Sequence, residues 1–488
     1  MLLYYNFFFS DIYLFISFFF LFLISIFLNL SKNNNFPNIY SFTCFFISLF
    51  LINIIILDNT NFFENINSYD LYKNDVDLLI KWIIILFTIL FFIYSYLYTT
   101  KMGLHLFEYS LTIYFILLSF NFFISSLDLL SFYLLLEIQS LCFYFLTAFN
   151  KHNQYSVESG LKYFILSSFS SISLLFGFSI IYGITGSLNF YDIFLFFSSS
   201  NIHYYFSYSH YVSGFLILVA FLFKLYVAPF HSWISDIYQG APTMTTAYFA
   251  TITSFPLFYV FIKLYLSFFY WMHYFFFFIF IILSILSMIL GLFGALYQKK
   301  IKRLVAFSSI SNIGYLMIVF VQENPQTLSY SILYFLLYIL NITGIFLIFL
   351  NLYINKTHSF LERFSSLSNF FNRNKWLALS LIFLFFTAAG IPPFSLFYAK
   401  ILMLIGLTYR FHVLILFILV FSAIVSSFYY LRVIKHMSFN MSTKWIYLYN
   451  ISYINYLLIS YIIIINTFFF YKSSKLLVIS DYITISLI

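Results

Sequence analysis

The sequence predicts an all-α polytopic membrane protein with about 14 spanning helices, two of them broken. Three observations carry that prediction. Apolar stretches of about 20 residues recur along the chain, each long enough to cross a hydrocarbon core of ~30 Å as a helix. The 488 residues are 63% hydrophobic and only 8% charged, with a mean hydropathy of +0.98. That is more apolar surface than a water-soluble domain can bury. Basic residues gather in the polar breaks, at spacings that put successive clusters on one side of a membrane.

Taken in order, the apolar runs place spans near 7–30, 40–57, 78–99, 110–128, 129–149, 157–184, 211–230, 240–256 and 257–270. They continue at 274–297, 302–321, 327–352, 376–407, 411–436 and 448–472. Runs 211–230 and 240–256 are read as two pieces of one interrupted helix. Basic clusters follow at Lys151, at Lys299, Lys300, Lys302 and Arg303, at Lys356, Arg363, Arg373 and Lys375, and at Lys435 and Lys444. Even numbers of spans separate them, so the positive-inside rule puts them on one face, with Lys32 and Lys101, and puts both termini on the other. Lys73 and Lys81 run against this assignment. The polar stretches 57–77, 186–210 and 353–375 are loop-sized, so residues 1–488 form a single transmembrane domain.

The seven prolines are concentrated. Pro229, Pro242 and Pro256 surround one apolar segment, Pro392 and Pro393 sit in another, and Pro37 and Pro325 fall in loops. Proline removes a backbone donor, and at membrane depth the freed groups are tolerated only against protein or a hydrated cavity. Each broken segment also carries a lysine, Lys224 and Lys400, the pattern of a transporter's central site. A packing kink is the plainer reading of either break alone.

Charges stranded in apolar spans point the same way. Lys224 sits in FLILVAFLFKLYVAPF, Lys263 in FPLFYVFIKLYLSF, Lys400 in GIPPFSLFYAKILMLIG and Glu137 in SFYLLLEIQSLCFYFL. A charge at that depth costs several kcal/mol and marks an ion or proton route. Desolvation disfavours a charged amine and a nearby carboxylate favours it, so a carboxylate that moves relative to such a lysine can load or empty it. His231, with an unperturbed pKa near neutrality, either relays protons or caps exposed backbone at the break. Glu158 and Lys162 are one turn apart and read as a local ion pair.

Other chemistries are not visible. Cys44 and Cys142 form no CxxC, which argues against a thiolate-held iron–sulfur cluster or cysteine zinc site. No nucleotide-binding, hydrolase or metalloprotease motif appears in the right context, and no basic run resembles a nucleic-acid surface. Phe at 75 and Tyr at 45 are far above ordinary usage. These residues have AT-rich codons, which suggests an organellar genome. The start of the chain reads as neither a signal peptide nor a transit peptide.

Four segments carry a family resemblance: LKYFILSSFSSISLLFGFSIIYGITGSLNF (161–190), FKLYVAPFHSWISDIYQGAPT (223–243), QKKIKRLVAFSSISNIGYLM (298–317) and GIPPFSLFYAK (390–400). Over about residues 125 to 435 the chain resembles the subunit 2 family among the antiporter-like membrane subunits of respiratory complex I, the proton-pumping NADH:ubiquinone oxidoreductase. The resemblance implies 14 helices in two inverted repeats, here 110–270 with a break near Pro229 and 274–436 with a break near Pro392. It implies proton translocation through Glu137, Lys224 and Lys400, with Lys263 and His231 as further proton-transfer candidates. NADH, FMN, iron–sulfur clusters and ubiquinone would be handled by other subunits. Its partners would be other membrane-arm subunits, accessory subunits and lipids, in the mitochondrial inner membrane, and no nucleic acid.

The sequence departs from the family in two places. Phe394, Ser395 and Leu396 replace small residues after Pro393. The family's central lysine aligns with Ser254, where Lys263 nine residues on either substitutes through another path or snorkels, and where water beside Ser254, Thr251 and Thr253 offers another route. Two other readings remain: a cation/proton antiporter of the same superfamily, and a structural subunit whose pump has decayed.

Overall fold

In a computed structural model of the chain, the described residues are 71–102, 107–198, 208–322, 324–354, 359–360, 364–368, 370–408, 413–439, 452–469 and 473–487. The spans expected near 7–30 and 40–57 lie outside them. The first helices are α1 (Leu71–Met102), α2 (Phe107–Ser125), α3 (Leu129–Ala148), α4 (Gln154–Thr185), α5 (Phe190–Ser198), α6 (Tyr208–Lys224) and α7 (Ser232–Gly240). Next come α8 (Thr243–Ser267), α9 (His273–Tyr297), α10 (Ile301–Met317) and α11 (Pro325–Asn351). The last are α12 (Lys375–Ala389), α13 (Ser395–Thr408), α14 (Val413–Ser438), α15 (Tyr453–Phe468) and α16 (Ser474–Leu487). Tyr353–Ile354 and Ser359–Phe360 pair as a minimal antiparallel ribbon. Among the described residues, 9 helices are long and apolar enough to cross a membrane.

Several boundaries differ from the sequence reading, each for a local reason. The expected 211–230 run stops being helical at Lys224. The pieces expected at 240–256 and 257–270 are one helix, α8, which runs through Pro256. A proline ring clashes with the carbonyl four residues back, here that of Ile252. That carbonyl lies in a π-helical turn, Phe249–Thr253, whose wider winding lets the helix accept the ring. α5 lies inside the loop-sized stretch 186–210, and α16 follows the last expected span, because Ser474–Leu487 mixes polar and apolar residues.

The packing sorts the helices by environment. α4 turns Ile165, Phe169, Ile172 and Phe176 outward, a large apolar surface that only lipid or another membrane protein satisfies. α11 is the opposite case, buried along nearly its whole length, with α1, α8, α12, α13, α15 and α16 around it. With no hydrophobic drive between helices in lipid, close approach and interhelical hydrogen bonds hold such a bundle. α9 and α10 meet at Gly291, where a Cβ would lie 2.6 Å from the backbone nitrogen of Ser311. Amides supply the bonds. Thr387 Oγ1 donates to Asn341 Oδ1 at 2.5 Å, Asn455 Nδ2 to Asn351 Oδ1 at 3.0 Å and Ser395 Oγ to Asn466 Oδ1 at 2.8 Å.

α14 is fastened to the end of α9 by one side chain. Arg432 donates to the carbonyls of Leu296, Ala295 (3.3 Å) and Gln298 (2.9 Å), and its guanidinium lies 5.7 Å from the centroid of the Phe364 ring. The last carbonyls of a helix have no intrahelical partners and carry its negative dipole end, so a forked cation fits them. Arg432→Ala is expected to lower stability by about 1.5–3 kcal/mol, the range for hydrogen bonds to a charged group, read as a lower melting temperature of the purified protein in detergent. An unchanged melting temperature would show that water caps those carbonyls equally well.

Candidate functional site

α6 ends in a reversal whose hydrogen bonds define it. Tyr226 N donates to Phe223 O at 3.0 Å and Val227 N to Leu222 O at 2.9 Å, while Tyr226 itself takes φ 49°. This is a Schellman ending, in which the left-handed position is normally glycine. Holding a tyrosine there costs about 1–2 kcal/mol, and such outliers persist where the surroundings over-determine them. Trp233 of α7 contributes: its Nε1 donates to Phe223 O at 3.1 Å, and its ring stacks on Phe223 at 5.2 Å.

Lys224, the last residue of α6, therefore faces a small enclosed space rather than lipid. It lines a cavity of about 20 Å³ together with Gln139, Tyr163, Tyr226, Tyr238 and Thr253. That volume holds about one water molecule. Glu137 on α3 interacts electrostatically with Lys224 and Tyr163, but the two expected partners are not in contact. The Glu137 carboxylate instead accepts from Tyr133 at 3.1 Å and from Ser140 at 3.2 Å, both on its own helix. The carboxylate is thus near Lys224 and held back from it.

α12 ends with the same hydrogen-bond pattern as α6. Gly390 ends α12 at φ 74°, with Gly390 N donating to Thr387 O at 3.0 Å and Ile391 N to Phe386 O at 3.3 Å. In both places a proline follows the left-handed residue three positions on, Pro229 after Tyr226 and Pro393 after Gly390. Lys400 comes from the continuation, α13, and is 7% exposed. Its Nζ lies 5.4 Å from the centroid of the Tyr315 ring and would be 3.0 Å from a Cβ at Gly390. Gly390→Ala would thus strain the backbone and push on the ammonium. The expected result is a loss of about 1–2 kcal/mol in stability together with lost activity. Normal activity would show that Lys400 has room to move.

The remaining candidates are dispersed. Lys263 pairs with Asp77 of α1 (Nζ–Oδ1 2.6 Å), donates to Ile124 O at 2.7 Å and lies 5.1 Å from the Tyr259 ring centroid. Tyr259 also donates to Asp77, at 2.6 Å, so Lys263 belongs to a cluster built on α1, α2 and α8. His231 precedes α7 at its N-cap position without a side-chain capping bond, and its Nδ1 has no partner among the described residues. Thr251 and Thr253 donate to their own helix, to Ala247 O at 2.7 Å and Phe249 O at 2.8 Å. Ser254 is 1% exposed and its hydroxyl has no partner among the described residues. Glu158 and Lys162 do pair, at 2.7 Å. Asp236 extends that pair, reaching Lys162 at 3.6 Å and Arg303 of α10 at 3.0 Å. Among the described residues no three His, Cys, Asp or Glu side chains converge on a common point.

Sequence reasoning passed over Tyr226, Tyr163, Gln139 and Asp77. Only Asp77 carried a signal, an acidic residue at the mouth of an apolar run. Residues 126–426 match the family described as NADH:quinone oxidoreductase/Mrp antiporter, TM, which covers more than half of the chain. The chain belongs to that family.

Relatives in the NADH:quinone oxidoreductase/Mrp antiporter family include the NADH-ubiquinone oxidoreductase chain 2 of Marchantia polymorpha. It is 32% identical over 392 residues, 80% of this chain and 79% of the relative. The NADH-quinone oxidoreductase subunit N of Hydrogenovibrio crunogenus is 32% identical over 365 residues, 74% of this chain and 75% of the relative. The fold agrees with that of solved structures. Respiratory complex I from Thermus thermophilus with bound aureothin has a chain that superimposes with TM-score 0.72 at 21% identity, covering 94% of this chain and 98% of that one. A chain of the Mrp complex from Dietzia sp. matches with TM-score 0.67 at 18% identity, covering 82% and 83%.

Proposed function

We propose that this chain is a proton-translocating membrane-arm subunit of NADH:ubiquinone oxidoreductase, complex I. The observation that carries the reading is similarity to chain 2 and subunit N proteins over about three quarters or more of the chain. Redox energy arrives from neighbouring subunits, which hold NADH, FMN, iron–sulfur clusters and ubiquinone. The chain sits with other membrane-arm and accessory subunits in the mitochondrial inner membrane, a placement supported by its codon-biased composition.

Geometry supports the proton role. Lys224 lines a small cavity with room for about one water, and Glu137 acts on it electrostatically without contact. An ammonium stabilised by a carboxylate that can approach or withdraw changes its hold on a proton. About 2.3 kcal/mol moves one charge through 100 mV, comparable to a shift of under two pKa units at ~1.4 kcal/mol each. Lys400 is the exit-side group, and His231, beside the first break, is a further proton-transfer group. We assign 14 crossings, with 110–270 and 274–436 as halves whose breaks correspond through Tyr226 and Gly390.

The second reading is a cation/proton antiporter of the Mrp type, favoured by the likeness to the Mrp complex chain. Native purification of the chain from solubilised membranes separates the two. Co-migration with NADH:quinone reductase activity in a large assembly is expected. A small particle without NADH oxidation would sink the complex I assignment and leave the antiporter.

A further inference from the structure

One wall of the Lys224 cavity is a helix too short to hold its own position. α7 has 9 residues, and helices under about 12–15 residues are marginal without packing. Ile234 and Tyr238, one turn apart, line the cavity together with Trp233. Asp236 lies between them in sequence, about 200° around the helix from each, and so faces away from the cavity. Its carboxylate meets Arg303 of α10 at 3.0 Å and Lys162 of α4 at 3.6 Å. α7 thus carries the cavity wall on one face and a charged fastening on the other.

The two ends of α7 are anchored differently. At its start, Trp233 Nε1 donates to Phe223 O at 3.1 Å and ties it to the end of α6. At its end, Lys302 Nζ donates to Ala241 O at 2.8 Å, and a Cβ at Gly240 would collide with Tyr155 O of α4. Lys302 and Arg303 both reach α7 from the first turn of α10. The helix dipole disfavours cations there, so these two stand against their own helix and are offset by partners on α7. The fastening is also shared. Lys162 lies 2.7 Å from Glu158 and 3.6 Å from Asp236, so Glu158 competes with Asp236 for one ammonium. The side chains of Lys162, Asp236 and Arg303 are 45%, 41% and 36% exposed, and ion pairs that open to solvent are weak enough to exchange partners.

We propose that Asp236 is a positioning residue for transfer at Lys224: its pairs with Arg303 and Lys162 hold α7 closed over the cavity, and their exchange opens it to water from the face that carries residues 299–303. The proposal rests on the proton-transfer reading of Lys224 above. With the pairs made, Trp233, Ile234 and Tyr238 leave room for about one water, too little for a continuous path. With Lys162 drawn to Glu158, the outer end of α7 loses its charged link to α4, while Trp233 keeps the inner end on α6. Movement about that inner end carries Ile234 and Tyr238 with it. Lys224 then exchanges its proton with one side of the membrane only.

The test uses the assembled complex in sealed vesicles with the 299–303 face outward, carrying Thr253→Cys as a reporter on the cavity wall. The introduced thiol is labelled with 2-sulfonatoethyl methanethiosulfonate, an impermeant anion, and peptide mass spectrometry separates it from Cys44 and Cys142. Adding Asp236→Asn keeps the side-chain shape and removes the charge. Labelling is expected to speed up about threefold to tenfold, the effect of two half-exposed ion pairs on a closed–open balance. Fewer protons should move per NADH oxidised, with complex abundance on native gels unchanged. Asp236→Glu should return both readouts toward their starting values. A merely structural pair would lower abundance and leave labelling and the proton ratio of the assembled complex alone, and that result overturns the proposal. If Lys224→Ala slows turnover while Asp236→Asn changes neither readout, the gate is wrong and the function stands. If Asp236→Asn speeds labelling but Lys224→Ala leaves turnover unchanged, α7 moves as stated and the proposal falls with the proton-transfer reading. Should Asp236→Asn not assemble, raising salt from about 0.1 to about 1 M weakens the same pairs without a substitution. Faster labelling is then expected, and an unchanged rate overturns the proposal.

Discussion

Lys224→Arg is expected to leave the complex assembled and its coupled turnover lower by about 10²-fold or more, the contribution of a positioned proton-transfer group. Arginine preserves the charge beside Glu137 but does not release its proton within a protein. Lys224→Ala should lose turnover similarly. The pair of variants separates charge from proton exchange: a purely electrostatic or scaffolding lysine tolerates arginine. Quinone reductase activity in sealed vesicles, set against complex abundance on native gels, gives the answer. Wild-type turnover in Lys224→Arg would end the proton-carrier assignment.

Asp77→Leu is expected to deplete the assembled protein severely. Asp77 and Lys263 pair directly and are largely enclosed, with side chains 17% and 28% exposed. Removing one partner of such a pair leaves an uncompensated charge at a cost of about 3–5 kcal/mol. Replacing both, as Asp77→Leu with Lys263→Met, is expected to restore assembly, since an apolar pair of similar volume is often neutral or better. Turnover of the double variant then decides the role of Lys263. Normal turnover makes it a fastener between α1 and α8, and lost turnover in an assembled complex makes it part of the route.

What the sequence made legible here was charge against an apolar background. Lys224, Lys400 and Glu137 stand out because no other Asp, Glu, Lys or Arg lies close to them in the sequence, and the helical class follows from the length of the apolar runs. Tyr226 was hidden twice over. A left-handed helix ending normally announces itself by glycine, as Gly390 does, and one tyrosine among 45 attracts no notice. The local equivalence of the two breaks was obscured for the same reason, since the lysines sit on opposite sides of their turns. Pro256 misled in the other direction, because a π turn let the helix continue where proline alone signals a stop. The Asp77–Lys263 pair joins distant parts of the chain, and no local pattern encodes such a pairing.

The enclosure of α11 also bears on biogenesis. Its neighbours α1 and α8 emerge from the ribosome before it, but α12, α13, α15 and α16 come later. Until they do, one flank of α11 has only lipid against it, and Asn341 and Asn351 have no side-chain partners there, since Thr387 and Asn455 are still to be made. The central helix is thus inserted early and locked late. A nascent chain stopped after α14 would carry an unmatched amide in lipid, a state suited to recognition by membrane quality control. The carboxy-terminal helices therefore complete the enclosure of α11 and supply the partner of Asn351, whatever they add to transport.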